Sequence, residues 1–273
     1  MSFIKTPLQK AETAIVQADA VLIGAGAGLS TAAGINYSGP DFEKAFADMI
    51  ARYGFTDLYT SSFYPFQSEE EKWAYWSRHI DYARFAPEAK PLYRHLLELV
   101  QGKEYFVITT NVDGQFAKAG FDPDKVFEVQ GDYGLMQCAT ACHPKRYSNE
   151  SLVKQMVAEQ QDCRIPSALV PRCPVCGGPM EINVRKDRYF VEDDRWHLQS
   201  DRYYSFLEKS LGKRKLVLLE YGVGYNTPTI IRFPFERMAA SYPDVALIRI
   251  NKDYRDCQTP GISHFIGLET LFL

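Results

Sequence analysis

The chain repeats one order, a short apolar segment followed by a helical pattern, and this order restricts its fold more than any other feature. The first apolar segment spans residues 20–23. Five more are rich in Val, Ile, Leu and Phe, and they lie at residues 104–109, 125–129, 215–221, 245–250 and 263–268. Strands that are buried on both faces of a parallel sheet have this composition.

Helical patterns connect several of these segments, at residues 8–19, 88–101 and 229–241. Thr6 and Pro7 are typical of a capped helix start, and Gly102 stops the second pattern. We expect Pro234 to kink or break the third. The alternation predicts an α/β fold, a doubly wound parallel Rossmann-like sheet.

Two regions do not follow the alternation. Residues 41–85 read as inserted helices, and Ser68 with Glu71 forms a capping-box signature for one of them. Residues 132–212 contain five of the six cysteines and a helical pattern at 149–161. We therefore predict three parts: a Rossmann-like domain at 1–40, 86–131 and 213–273, a helical insertion at 41–85, and a small zinc-binding module at 132–212.

The apolar segment at 104–109 stops abruptly in polar residues, among them Asn111 and Asp113. In an open α/β sheet, ligands bind just beyond the carboxyl ends of the strands. These two side chains are therefore candidates to hold a carboxamide or a ribose hydroxyl. A helix cap is an alternative interpretation, because Asn and Asp are favoured there too.

A glycine-rich turn at residues 24–28 follows the first apolar segment directly. Glycines let the backbone approach a phosphate closely, so a dinucleotide ligand is the natural interpretation. The usual dehydrogenase fingerprint does not fit, since Leu29 and Thr31 occupy positions that it reserves for Gly or Ala. The alternative is a tight turn that packs a helix on a strand.

Four cysteines form two pairs with short internal spacing: Cys138 with Cys142, and Cys173 with Cys176. Two such thiol pairs suit a tetrahedral Zn²⁺ site that stabilises a small module. His143 is an alternative ligand to one thiolate. Cys163 and Cys257 have no partner of this kind.

Composition excludes some classes of protein. The net charge of −3 does not indicate nucleic-acid binding, and no apolar run is long enough to span a bilayer. The first seven residues do not resemble a signal peptide, so we expect a cytoplasmic protein. In that compartment cysteines favour metal binding over disulfides.

These features, in this order, resemble the Sir2 (sirtuin) family. The family motifs GAGxSxxxGI, TQNxD and ExHG resemble residues 26–35, 109–113 and 128–131, and Gln130 stands where the catalytic His belongs. The two cysteine pairs match the zinc module of the family in position. Segments at 222–224 and 251 resemble those that meet the ribose groups of NAD.

The resemblance implies an NAD-consuming enzyme with a structural Zn²⁺. It implies that Asn111 orients the nicotinamide ribose and a water molecule, and that Asp113 holds the nicotinamide amide. The other NAD contacts that it implies are Gly26, Ala27, Ser30, Ile35, Tyr37, Thr109, Gln130, Gly222, Gly224, Asn226 and Asn251.

Departures from the family pattern narrow the expected reaction. Deacylation needs a base that takes a proton from a ribose hydroxyl, and the amide of Gln130 cannot accept one. The apolar VxFGE segment, which lines the acyl-lysine channel in deacylating members, corresponds to residues 183–187, and Arg185 would lie at the cleft mouth. The GIPDFR motif is altered as well, and Tyr37 would partly replace its aromatic shield.

This pattern resembles the macrodomain-linked microbial sirtuins of class M, which are protein mono-ADP-ribosyltransferases. The resemblance implies transfer of ADP-ribose to a lipoylated carrier protein of the glycine-cleavage H type, and a macrodomain hydrolase that reverses the modification. We expect Asn111, Asp113, Gln130 and Arg185 to carry the reaction. An NAD-dependent deacylase and a non-catalytic NAD or ADP-ribose sensor are the alternatives.

Overall fold

The computed structural model describes residues 5–270 of the chain. Residues 1–4 lie outside the described part, and the expectation that the first seven residues are not a signal peptide rests partly on them. The centre of the structure is a six-stranded parallel sheet. The strands of this sheet are β1 (Ala20–Ala25), β2 (Glu104–Thr109), β3 (Val126–Glu128), β7 (Leu216–Tyr221), β8 (Val245–Ile250) and β9 (Phe265–Leu268).

The strand order of this sheet is β3-β2-β1-β7-β8-β9. From β1 the chain adds β2 and β3 on one side of β1, and it later returns to add β7, β8 and β9 on the other side. Such a reversal leaves a crevice at the carboxyl ends of the central strands. The doubly wound parallel sheet predicted from the sequence is confirmed.

A smaller antiparallel sheet lies between β3 and β7 along the chain, and its strand order is β5-β4-β6. Its strands are β4 (Gly131–Cys138), β5 (Arg146–Ser148) and β6 (Met180–Val184). Only two residues separate the end of β3 from the start of β4, so the smaller sheet leaves directly from the edge of the large one. This junction contains Gln130.

The α-helices are α1 (Pro7–Gln17), α2 (Ala27–Ala32), α3 (Pro40–Ala45), α4 (Ala47–Tyr53), α5 (Leu58–Ser61), α6 (Glu69–Ile80), α7 (Pro91–Val100), α8 (Gln115–Lys118), α9 (Glu150–Glu159), α10 (Asp194–Ser210) and α11 (Arg232–Ser241). Helix α6 continues into a π-helical turn at Asp81–Phe85, and short 3-10 turns occur at Pro123–Lys125 and Ser167–Leu169.

Several predicted helix signals are confirmed. Thr6 and Gln9 form a reciprocal capping box at the start of α1. At the start of α6 the Ser68 hydroxyl accepts from the backbone N–H of Glu71, but the Glu71 carboxylate accepts from the N–H of Gln67 rather than that of Ser68, so only half of the predicted box forms. The third predicted helix differs, because α11 begins at Arg232 and Pro234 lies within its first turn. Backbone N–H groups there have no intrahelical acceptor, so the proline breaks nothing.

Three apolar clusters hold these layers together. Two of them cover the two faces of the parallel sheet, and α10 contributes Tyr203 and Phe206 to one of those faces. The third joins the helices of residues 41–85 to the smaller sheet around Trp73 and Tyr75. Within residues 5–270, no helix is both long and apolar enough to cross a membrane.

Candidate active site at the carboxyl edge of the parallel sheet

A cleft of about 1230 Å³ lies at the carboxyl ends of β1, β2, β7 and β8. It is large enough for a dinucleotide. Residues that directly follow these strands line it, including Gly26 after β1 and Asn251 after β8. The predicted cofactor residues that line it are Gly26, Ala27, Gly222, Gly224, Asn226 and Asn251.

The glycine turn packs directly against the loop after β7. The N–H of Gly28 donates to the carbonyl of Gly222 at 2.9 Å. A Cβ on Gly28 would lie 2.7 Å from the Gly222 Cα, and a Cβ on Gly222, whose φ is +65°, would lie 2.2 Å from the Leu29 nitrogen. Only glycine allows the two loops to approach this closely, which leaves the backbone of both loops on the cleft floor.

A buried polar cluster lies beside this floor, and it brings together three of the predicted residues. The Ser30 hydroxyl donates to Asp113 Oδ2 at 2.5 Å, and the backbone N–H of Gln115 donates to Asp113 Oδ1 at 3.0 Å. Asn111 Nδ2 donates to the hydroxyl of Tyr93 at 3.3 Å. The helix-cap interpretation also holds in part, because Asp113 bonds the first N–H of α8.

Charged groups surround Asp113. Burial raises the pKa of its carboxyl group, while the Ser30 hydroxyl opposes that shift. Arg84 lies close by and binds Asp132 through two hydrogen bonds, at 2.7 and 3.1 Å. Burial, together with Asp132, raises the pKa of Glu128 to about 8. The site therefore holds carboxyl groups that differ in their readiness to ionise.

Three other predicted cofactor residues surround the cluster. The backbone N–H of Ile35 donates to the carbonyl of Ser30 at 2.9 Å, which closes the turn after α2. The Thr109 hydroxyl bonds the Ala25 carbonyl at 3.1 Å and so ties β2 to β1 at their ends. Tyr37 lies farther out, among aromatic side chains.

Tyr37 forms one wall of an aromatic group with Tyr133 and His79. Its ring meets the His79 ring edge-on, with centroids 5.5 Å apart, and burial together with the neighbouring Tyr133 raises the pKa of its hydroxyl. The backbone N–H of Tyr133 donates to the carbonyl of Val112 at 2.9 Å, so this group is fixed to the loop after β2. Burial lowers the pKa of His79 to about 3. Its imidazole is therefore neutral at physiological pH.

Gln130 and Arg185 lie side by side at the junction of the two sheets. The backbone N–H of Arg185 donates to the Gln130 carbonyl at 3.0 Å. The Arg185 guanidinium lies over the Phe190 ring, 4.2 Å from its centroid, and pairs with Glu192. A Cβ on Gly131, whose φ is +97°, would lie 2.0 Å from the Asn183 carbonyl oxygen. This contact fixes the turn that carries Gln130.

The sequence analysis did not identify Tyr93, nor a buried ionic network beneath the Asn251 loop. Arg249 donates to both oxygens of Glu220, at 2.7 and 2.9 Å, and both side chains are fully buried. Arg249 and Arg232 also donate to the carbonyls of Asp256 and Tyr254. The network thus holds the loop that borders the cleft. Its signal in the sequence was a charged residue inside each of two apolar strands.

The four paired cysteines meet as predicted. The Sγ atoms of Cys138, Cys142, Cys173 and Cys176 all lie within 4.8 Å of one another. The contacts Cys138–Cys176 and Cys142–Cys173 are each 3.7 Å. Tetrahedral zinc with Zn–S bonds of about 2.3 Å requires sulfur atoms roughly 3.8 Å apart, so the cluster fits Zn²⁺. His143 lies at its edge, with Nδ1 3.0 Å from the Cys142 sulfur.

We expect Cys173→Ser to lose zinc and to unfold the module around β4, β5 and β6. Structural zinc in small modules contributes about 10–16 kcal/mol of apparent binding free energy, which is also folding free energy. Metal content and the thermal melting curve measure the effect. Cys257→Ser, at a half-buried thiol outside the cluster, is the matched control and should keep its zinc. Full zinc content in Cys173→Ser would contradict a four-thiolate site.

Together, the parallel sheet, the glycine-floored cleft and the cysteine cluster define a dinucleotide-binding α/β protein with a zinc module. The model of the Sir2 family matches residues 26–199, and the chain belongs to this family. Members of the family are NAD-dependent enzymes. The glycine floor and the polar groups after β2 and β8 fit NAD as the substrate.

Individual relatives agree with this assignment. The chain is 42% identical over 241 residues to a protein ADP-ribosyltransferase of Staphylococcus aureus strain Mu50, covering 88% of this chain and 76% of that protein. It is 32% identical to a probable bifunctional ADP-ribose hydrolase/ADP-ribosyltransferase of Fusarium oxysporum f. sp. cubense, covering 85% of this chain but 40% of that longer protein. A Sir2 homologue–NAD complex shares the fold, with a TM-score of 0.56 and 19% identity over 94% of this chain and 86% of that one.

Proposed function

We propose that this protein is an NAD-dependent mono-ADP-ribosyltransferase that modifies a protein acceptor. One observation carries the proposal: the polar cluster around Asn111 and Asp113 is complete, whereas position 130 holds an amide. Cleavage of the bond to nicotinamide needs the cluster. Deacylation needs in addition a base, and a glutamine amide does not accept a proton.

In the proposed reaction, NAD lies between the Rossmann-like part (1–40, 86–131 and 213–273) and the two insertions. The bond between ribose C1′ and the nicotinamide nitrogen breaks, and its electron pair leaves with nicotinamide. The nucleophile of the acceptor then forms a bond to C1′ and gives up its proton. Asn111 positions the ribose, Asp113 holds the nicotinamide amide, and Gln130 bonds the ribose hydroxyls.

Arg185 has a proposed role at the acceptor side. Its guanidinium is exposed, yet Phe190 and Glu192 hold it in place next to the Gln130 backbone. A fixed cation next to Gln130 suits an acceptor that carries negative charge, or the pyrophosphate of NAD. In a deacylase the corresponding segment lines an apolar channel, and this polar arrangement disfavours that reaction.

The relatives support the reaction class, since the proteins from Staphylococcus aureus and Fusarium oxysporum both carry ADP-ribosyltransferase in their names. The second name also contains an ADP-ribose hydrolase, which supports a hydrolase that removes the modification as a partner. The proposed acceptor is a lipoylated carrier protein of the glycine-cleavage H type, and its support is the resemblance to the class M sirtuins. The proposed compartment is the cytoplasm, in keeping with the six cysteines, none of which forms a disulfide.

Incubation with isotopically labelled NAD and a carrier protein, with and without the lipoyl group, tests the proposal. Mass spectrometry of the carrier should show added ADP-ribose on the lipoylated form, together with released nicotinamide. The carrier without lipoate is the matched control. ADP-ribose on both forms would retain the transferase activity but reject lipoylation as the requirement.

The same experiment separates the two alternatives. Loss of an acyl group from an acyl-lysine peptide, with no ADP-ribose added to protein, would establish a deacylase. NAD binding without nicotinamide release, even with every acceptor present, would establish a sensor. Either result would reject the transferase.

A further inference from the structure

Four buried side chains form a continuous line beside the cleft. Asn111 Nδ2 lies 3.3 Å from the Tyr93 hydroxyl, which lies 3.0 Å from the Ser30 hydroxyl, which lies 2.5 Å from Asp113 Oδ2. Each of the four residues is less than 10% exposed. These side chains come from α2, α7 and the loop after β2, so the line joins three separate segments.

Counting protons gives this line a direction. A hydroxyl group has one proton to donate, and in the contact with Asp113 the donor is the Ser30 hydroxyl. The Ser30 proton goes to Asp113, so the Tyr93 proton must fill the contact between Tyr93 and Ser30. The Tyr93 oxygen then has only lone pairs to offer Asn111, and the Asn111 NH₂ group must be the donor. Every contact is satisfied in this order.

The opposite orientation of the Asn111 amide fails this count. If Oδ1 faced Tyr93, the tyrosine proton would go to that oxygen. Two hydroxyl oxygens 3.0 Å apart would then share no proton, because the Ser30 proton is held by Asp113. An unmade hydrogen bond between buried groups costs about 1–3 kcal/mol. The line therefore selects one orientation of the amide.

The selected orientation leaves Asn111 Oδ1 turned away from Tyr93. No described residue donates to this oxygen, and it is not among the fully buried side-chain atoms that lack a partner. We infer that Tyr93 is a positioning residue for the proposed reaction: through Ser30 and Asp113 it fixes the amide so that Oδ1 is the acceptor offered to the nicotinamide ribose. The inference rests on the proposed function and deepens it.

Tyr93→Phe removes one hydroxyl and keeps the ring that packs edge-on against Phe116, with centroids 5.0 Å apart. We expect kcat for nicotinamide release to fall about 10–100-fold, because the freed amide samples unproductive orientations. KM for NAD and the melting temperature should change little. Tyr203→Phe, at a buried tyrosine on the opposite face of the sheet, is the matched control and should keep full activity.

A double-mutant cycle shows whether Tyr93 acts through Asn111. If it does, Tyr93→Phe has no further effect on nicotinamide release once Asn111→Ala is present. Equal fractional losses with and without Asn111 would show that the Tyr93 hydroxyl works independently, and would overturn the inference. So would wild-type kcat in Tyr93→Phe.

A measurement that needs no turnover keeps the inference separate from the proposed function. In ¹⁵N-labelled protein, the side-chain amide signal of Asn111 is identified by its loss in Asn111→Ala. We expect one of its protons to be protected from exchange with solvent, and Tyr93→Phe to remove that protection. Unchanged protection would show that the line of four side chains does not fix the Asn111 amide, whatever reaction the protein catalyses. If wild-type protein releases no nicotinamide, the proposed function fails, and the amide signal alone then shows whether Tyr93 fixes the Asn111 amide.

Discussion

Asn111→Ala is expected to reduce nicotinamide release and ADP-ribose transfer by about 10²–10³-fold, the usual effect of removing one preorganised polar group from a reaction centre. The charge that develops at ribose C1′ needs a fixed partner, and Asn111 is the amide that the chain places directly beyond the end of β2. Binding of NAD should persist, because the glycine floor and the Asn251 loop remain.

The fold should survive this substitution. Asn111 makes one side-chain hydrogen bond, to Tyr93, and its backbone N–H is bound by the Thr109 hydroxyl at 3.0 Å, which alanine keeps. Leaving the Tyr93 hydroxyl with one partner fewer costs about 1 kcal/mol. Single-turnover assays with labelled NAD measure the chemical step, and circular dichroism measures the fold.

A buried asparagine elsewhere provides the matched control. Asn149 is fully buried at the start of α9, and its side chain donates to the Tyr133 carbonyl at 2.9 Å. Asn149→Ala should cost stability similarly and retain most of the transfer activity. If Asn111→Ala still labels the acceptor at the wild-type rate, the assignment of Asn111 to the reaction centre is wrong.

Local chemistry in the sequence was enough to predict the sheet and some of the residues that line the cleft. The central strands β1 and β7 are buried on both faces, so their composition alone predicts them. The glycine turn and the polar residues after β2 follow their strands directly, and the fold places all strand ends at one edge. The spacing of the paired cysteines predicts a metal site, and the four sulfur atoms lie within 4.8 Å of one another.

Contacts between distant segments could not be predicted in the same way. Tyr93 occupies a buried position on an amphipathic helix, where an aromatic residue usually means core packing. Only the approach of α7 to the loop after β2 turns its hydroxyl into part of the site. Glu220 and Arg249 did carry a signal, a charged residue inside each apolar segment, but their pairing depends on the register of β7 and β8, in which they are directly opposite. That register is a property of the fold, not of either segment.

Gln130→His is expected to raise deacylation of an acyl-lysine peptide by less than about tenfold, although a general base usually contributes about 10²–10⁴-fold. The histidine itself should fit, because Gly131 and its contact with Asn183 fix the turn independently of side chain 130. What is missing is an apolar channel that could bind the acyl chain. Burying each methylene group yields about 0.8 kcal/mol, and that requires an apolar wall.

The segment that would form this wall is polar, and its side chains already make contacts with other residues of the protein. Asn183 is fully buried and donates to Gln137 Oε1 and to the Val191 carbonyl, while Arg185 lies over Phe190. Mass spectrometry of acetyl- and longer acyl-lysine peptides measures the reaction, and Gln130→Ala, which should weaken ADP-ribose transfer without creating deacylation, is the matched control. Efficient deacylation by Gln130→His would mean that an acyl channel exists despite these contacts. The missing base, rather than the polar wall, would then be what separates this protein from the deacylases.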